Sequence, residues 1–71
     1  MELKPGKYRH FKGNEYVVMD VGYHTETSEA MVIYYDCKDP AKVWVRPLSM
    51  WNEIVKRDDY EGPRFIWIGS E

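Results

Sequence analysis

The most reactive side chains in this sequence belong to His10, His24 and Cys37. Histidine titrates near neutral pH, so the two histidines are candidates for acid–base catalysis or metal binding. The chain has none of the short Cys or His spacings that are typical of zinc sites, and the acidic neighbours Asp36 and Asp39 disfavour a reactive Cys37 thiolate. We therefore interpret all three as structural residues, and we expect no catalytic residue, no metal and no cofactor. The alternative is a small hydrolase built around His10 and His24.

Three arginines, Arg9, Arg46 and Arg64, stand close to aromatic residues in the sequence. Arginine stacks on aromatic rings and binds carboxylates through two N–H groups. Two converging arginines would bind an anion. The alternative interpretation is that each arginine pairs with an acidic residue such as Glu15 or Glu53 and packs its stem over a ring.

Length and charge exclude several classes of protein. The chain has 71 residues, with 10 basic and 12 acidic side chains and a net charge of -2. Such a balance does not attract phosphate backbones, so nucleic acid is not expected as a partner. No apolar run approaches the roughly 20 residues that span a bilayer. We predict one domain over residues 1–71, with no membrane association, and the single cysteine favours the reducing cytoplasm.

The alternation of apolar and polar residues predicts five strands, because side chains in a strand point to opposite faces in turn. Gly, Asn and Pro mark the turns between them, including residues 12–14, 25–29 and 38–42. The predicted strands cover residues 7–11, 15–24, 31–37, 43–46 and 64–69.

A short helix is predicted before the last strand. Ser49 is a suitable N-cap, and the spacing of Leu48, Trp51 and Val55 places these residues on one apolar side facing the sheet. Residues 56–63 are charged and are predicted to form a loop. The sequence therefore predicts a mainly β fold, a small five-stranded antiparallel SH3-like barrel with one short helix before the last strand.

One stripe of side chains along three successive strands is predicted to form the core, because these strands must share an interior. The residues of this stripe are Val17, Met19, Val21, Ile33 and Val45.

Four stretches resemble a small bacterial family, domain-of-unknown-function family sixteen fifty-three: GKYRHFKGNEY, the HTETSE loop, WVRPLSM and the late PRF. The resemblance covers residues 6–67 approximately. It implies a small, mostly β, SH3-like domain that usually forms a short protein by itself. It implies no activity or substrate, so no residue role is taken from it.

The aromatic content points to binding. With 3 Trp, 6 Tyr and 2 Phe, the chain has more rings than one face of a small barrel can cover, so we expect some to be exposed. SH3-like barrels bind peptides in aromatic grooves beside acidic loops, which predicts a module for basic or proline-rich peptides rather than an enzyme. A homo-oligomeric structural protein is the alternative. The predicted binding surface consists of Tyr8, Tyr16, Trp44, Arg46 and Trp51.

Overall fold

The structure is a computed structural model that describes residues 3–70. No helix in this part of the chain is long and apolar enough to cross a membrane. The elements follow one another as β1 (Gly6–His10), β2 (Glu15–Tyr23), β3 (Ala30–Asp36), β4 (Asp39–Pro47), α1 (Leu48–Trp51), β5 (Ile54–Arg57), β6 (Tyr60–Pro63) and β7 (Phe65–Gly69).

Five of the strands form one antiparallel sheet in the order β4-β3-β2-β1-β7. The strands β5 and β6 form a separate two-stranded hairpin. The prediction of a mainly β, five-stranded antiparallel fold with one short helix before the last strands is confirmed. Within residues 3–70 the sheet is not closed, because β4 and β7 lie at its two edges.

Two predicted elements, β4 and α1, have boundaries that differ from the structure by more than one residue. Strand β4 begins at Asp39 and includes Pro40, which an edge strand tolerates because the missing N–H is not needed for a further ladder. Helix α1 ends at Trp51, and its N-cap is Pro47 without a side-chain hydrogen bond, so the predicted cap by Ser49 is wrong.

The segment predicted as a charged loop forms the β5–β6 hairpin. Arg57 pairs with Tyr60, which leaves a two-residue turn of Asp58 and Asp59, and acidic residues favour such turns. An ion pair of 3.9 Å between Lys56 and Glu61 spans the hairpin. The apolar alternation that predicts strands is weak here because most of the side chains are charged and exposed.

The core lies on the face of the five-stranded sheet that α1 covers, which we call the inner face. The Trp51 ring, contributed by α1, stacks on Phe65 with centroids 3.7 Å apart. It meets Tyr8 and Tyr34 edge-on at 5.4 and 4.9 Å, a favoured geometry for aromatic pairs. The buried cluster consists of Tyr8, Val18, Val32, Tyr34, Trp51 and Phe65.

The predicted burial is correct at one position and wrong at two. Val17 is buried, but it lies opposite Tyr35, on the other face of the sheet from the buried cluster. Met19 and Val45, by contrast, are exposed by 50% and 57%. Val21 and Ile33 are only partly buried.

A bulge in β2 explains part of this difference. Val18 pairs with Tyr34 and Asp20 pairs with Ile33, so Met19 is an extra residue without a partner opposite it. The extra residue reverses the alternation of side chains between the two faces for the rest of β2. Val21 therefore lies opposite the core residue Val32. The stripe predicted to be continuous therefore changes face at Met19.

The other part lies in two buried tyrosines, Tyr8, which was predicted to belong to an exposed surface, and Tyr34. The Tyr8 hydroxyl donates a hydrogen bond of 2.6 Å to the Lys4 carbonyl oxygen. The Arg46 guanidinium approaches the Tyr34 hydroxyl. A buried tyrosine is stable when its polar end has such a partner, so the aromatic stripe could form the interior.

We expect Val32→Ala to lower the free energy of unfolding by about 2 to 3 kcal/mol, because Val32 is fully buried and its loss leaves a cavity. Val45→Ala is the matched control on the next strand and should cost under about 1 kcal/mol. Urea unfolding of both variants measures the difference. Equal losses would contradict the assignment of the inner face.

Candidate functional site

A cleft lined by aromatic side chains opens at the β4 side of the inner face. It has a volume of about 250 Å³ and is lined by Tyr16, Tyr34, Asp36 and Trp44, which we call the aromatic cleft. Strand pairing builds it, because Tyr16 lies opposite Asp36, and Tyr34 lies opposite Trp44. Trp44 is exposed by 44%, so its ring is accessible to a ligand.

Charged groups of both signs border the aromatic cleft. The Asp36 carboxylate accepts a hydrogen bond of 2.8 Å from the backbone N–H of Lys38, which fixes one oxygen. The Lys42 ammonium lies 4.6 Å from the centre of the Trp44 ring. Burial raises the pKa of Tyr34, and the nearby Arg46 guanidinium partly opposes this rise. The cleft therefore offers rings, a carboxylate and a neutral hydroxyl to a ligand.

Two arginines, Arg46 and Arg64, lie at the border of the buried cluster. Arg46 comes from the end of β4 and lies opposite Val32, on the inner face. Arg64 lies between β6 and β7, directly before the core residue Phe65. Both guanidinium groups lie close enough to His10 to lower its pKa.

The backbone holds Arg64 firmly in place. Its N–H donates to the Glu53 carbonyl oxygen at 3.1 Å, and its own carbonyl oxygen accepts from the Phe11 N–H at 3.0 Å. The Arg64 Nη2 atom donates to the Glu53 side chain at 3.3 Å. The side chain is 24% exposed, so a partly buried guanidinium has one ion pair and a backbone that is fixed on both sides.

Three buried nitrogen atoms near this interior have no hydrogen-bond partner among residues 3–70: Arg46 Nε, Trp51 Nε1 and Arg64 Nε. An N–H group buried without an acceptor loses its hydrogen bonds to water and gains none in return. The three donors therefore mark a place where an acceptor would be favoured.

The structure separates the five residues of the predicted binding surface into two groups. Tyr16 and Trp44 line the aromatic cleft, and Arg46 lies beside its Tyr34 wall. Tyr8 and Trp51 are exposed by only 5% and 2%, so placing these two on an exposed surface is a prediction that the structure corrects. They are buried because α1 covers the sheet there. That the remaining surface binds a ligand stays a prediction.

The two histidines do not share a site. His10 lies at the end of β1, and its Nδ1 atom accepts from the Lys12 N–H at 3.1 Å. His24 follows β2 and is exposed, and its Nδ1 atom accepts from the Glu26 N–H at 3.2 Å. Nine residues of β2 run between these positions, a length of about 30 Å in an extended strand. Within residues 3–70, no group of three or more His, Cys, Asp or Glu side chains could hold a metal ion.

The ion-pair interpretation holds for two of the three arginines. Arg9 donates two hydrogen bonds to one Glu15 carboxylate oxygen, at 3.3 and 2.9 Å, and forms a surface ion pair. Arg64 pairs with Glu53, as the ion-pair interpretation expects. Arg46 has no carboxylate within 4.0 Å among the described residues.

A second cleft, of about 550 Å³, was missed by the sequence analysis. It is lined by Phe11, Lys12, Arg57, Asp59 and Tyr60, and Phe11 stacks on Tyr60 with centroids 5.4 Å apart. It forms where the β1–β2 turn meets the β5–β6 hairpin. The only signal in the sequence was Tyr60 within a segment predicted as loop.

Comparison with known proteins places the chain in a family. A family model described as a protein of unknown function (DUF1653) matches residues 6–67. The chain belongs to the DUF1653 family. A crystal structure of a DUF1653 protein from Bordetella bronchiseptica matches with 33% sequence identity and a TM-score of 0.87, and the match covers 99% of this chain and 92% of that one. No curated protein gives a significant match. The family resemblance seen in the sequence is therefore confirmed.

We expect the pKa of His10 to lie below its usual value of about 6.5, because burial and the charges of Arg64, Lys12 and Arg46 disfavour its protonated form. The unfolded chain then binds the proton more readily than the folded one. The stability linked to His10 is thus fully present above the usual histidine pKa and is lost as the pH falls below it.

An NMR titration of the histidine side chains measures this pKa directly. Between neutral and mildly acidic pH, the free energy of unfolding should change less with pH for His10→Gln than for the wild type. His24→Gln, in an exposed loop, is the control. Titration of His10 at or above its usual value would contradict the expectation.

Proposed function

We propose that this DUF1653 protein is a binding module that holds a basic or proline-containing peptide segment in the aromatic cleft. The observation that carries the proposal is the half-exposed Trp44 ring beside the Asp36 carboxylate. Aromatic side chains in an open groove bind proline rings and aliphatic stems, and a carboxylate at the border selects a cation.

The contact of Lys42 with Trp44 supports this proposal. A lysine ammonium of the chain itself lies 4.6 Å from the centre of the ring, which is the geometry of a cation–π interaction. Both side chains are exposed, so a cation from a partner can take the place of Lys42 without disturbing the core. A lysine or arginine of a basic peptide would make the same kind of contact with the Trp44 ring.

The positions of the titratable groups favour binding over catalysis. The hydrolase alternative required His10 and His24 in one site, and these residues lie at opposite ends of β2. The Cys37 thiol is partly buried beside the outer face, close to Lys7 and Tyr35.

The peptide proposal is tested by selection from a displayed library of random peptides against the immobilised protein. We expect enriched sequences to contain proline with lysine or arginine. Trp44→Ala should weaken the binding of a selected peptide by about 1 to 3 kcal/mol in calorimetry, because aromatic side chains dominate such interfaces. Ile66→Ala, which changes an exposed residue on the opposite edge strand, is the matched control. Equal affinities of wild type and Trp44→Ala for the selected peptide would exclude the aromatic cleft as the peptide-binding site.

Self-association is a second candidate function, and it rests on strand β4. This edge strand is nine residues long and presents Val43, Trp44 and Val45, each exposed by at least 44%. An unpaired edge with apolar side chains can pair with the same edge of another copy.

Sedimentation at increasing protein concentration measures this association. If β4 pairs with β4, Val45→Lys should shift the protein towards the monomer, because it brings like charges together at the interface. Ile54→Lys, on the small hairpin, is the control and should leave the distribution unchanged. A monomer at all concentrations would rule out this second function.

A further inference from the structure

We propose that Arg46, Trp51 and Arg64 form a binding site for an oxyanion, that is, for a carboxylate or phosphate group. This site is distinct from the aromatic cleft and does not depend on peptide binding there.

Each of the three residues has a buried N–H donor without a partner in residues 3–70, namely Arg46 Nε, Trp51 Nε1 and Arg64 Nε. Trp51 is only 2% exposed, so solvent reaches its indole poorly. All three groups are donors only, because neither arginine nor the indole N–H can accept a hydrogen bond. A matching ligand must therefore supply acceptor oxygens to these groups, which an ionised oxyanion can do.

The three side chains are linked by ring contacts and by a shared neighbour, His10, which packs against Phe65 and lies within the influence of both guanidinium groups. Trp51 stacks on Phe65 at 3.7 Å and meets Tyr34 at 4.9 Å. Arg64 directly precedes Phe65 in the chain. Arg46 approaches the Tyr34 hydroxyl. The donors are thus gathered around one part of the interior and not scattered over the surface.

The electrostatic setting favours an anion. His10 packs edge-on against Phe65 at 5.1 Å and lies within the influence of Arg46, Arg64 and Lys12. The Glu53 carboxylate contacts Arg64 through Nη2, which leaves the Nε atom for a ligand. Arg46 makes no ion pair among residues 3–70, so its positive charge is not offset by a direct contact, and charge-assisted hydrogen bonds are strong in a partly dry place.

The site is also fixed in advance of binding. The backbone of Arg64 is bonded to Glu53 and to Phe11, and Trp51 is held by ring contacts on several sides. Little freedom is lost when a ligand arrives, so even a small anion can bind measurably.

The test follows the indole N–H resonance of Trp51 by NMR while inorganic phosphate or acetate is added. The resonances of Trp44 and Trp67 are internal references, since the Trp67 indole N–H already donates to the Pro5 carbonyl oxygen at 3.2 Å. We expect the Trp51 resonance to shift and to saturate in the millimolar range. The phosphate and acetate arms show which oxyanion binds more tightly, and sodium chloride at equal ionic strength controls for screening.

Substitutions assign the effect to the proposed donors. Arg46→Gln and Arg64→Gln should each weaken binding at least tenfold, whereas Arg9→Gln, at a surface ion pair, should leave it unchanged. If Arg46→Gln does not fold, Arg46→Lys keeps the charge and removes the Nε donor, and its affinity should lie between those of wild type and the Gln variant. Trp44→Ala should retain oxyanion binding, which separates this site from the aromatic cleft. A Trp51 resonance that neither anion moves would overturn the proposal and show that solvent satisfies these donors.

Discussion

The packing of Trp51 against the sheet is the contact on which the rest of this small fold depends. A sheet that does not close leaves its inner face without cover, and a chain of 71 residues has little else to place there. Helix α1 has only four residues and would not form alone in water. The Trp51 indole fixes the helix against the sheet, because it stacks on Phe65 and meets Tyr8 and Tyr34 edge-on.

An interior built from such rings brings polar atoms with it. Tyrosine and tryptophan carry an O–H or N–H at the end of a large apolar body, so each ring that enters the core needs a partner for that group or leaves it unpaired. In Tyr8 the group is satisfied by the Lys4 backbone, and in Trp51 it is not. Polar groups of this kind lie at the border of the core, where Tyr34 forms one wall of the aromatic cleft and also approaches Arg46.

The sequence predicted the elements better than the faces they bury. Strands β1 to β3 were located to within one or two residues, because their alternation is strong and Gly or Asn marks their ends. Burial could not be assigned to a face in β2, since Val17 and Val18 are adjacent and both buried. Of the predicted binding surface, Tyr16 and Trp44 lie together in the aromatic cleft, as the alternation of side chains along their strands had suggested. The position of Arg64 beside the core could not be predicted from the sequence, because the β5–β6 hairpin that precedes it was predicted as a loop.

The bulge at Met19 affects how related sequences should be compared. One extra residue in β2 places Asp20 outside and Val21 inside, and the Asp20 carboxylate accepts the Val21 N–H at 2.7 Å. A relative that lacks the extra residue would pair the residues after the gap with the same partners, so Asp20 would stay opposite Ile33 and Val21 opposite Val32. An alignment that omits this gap would place every later residue of the strand on the wrong face. In this strand, a single gap at Met19 therefore records the loss of the bulge and leaves the interior unchanged.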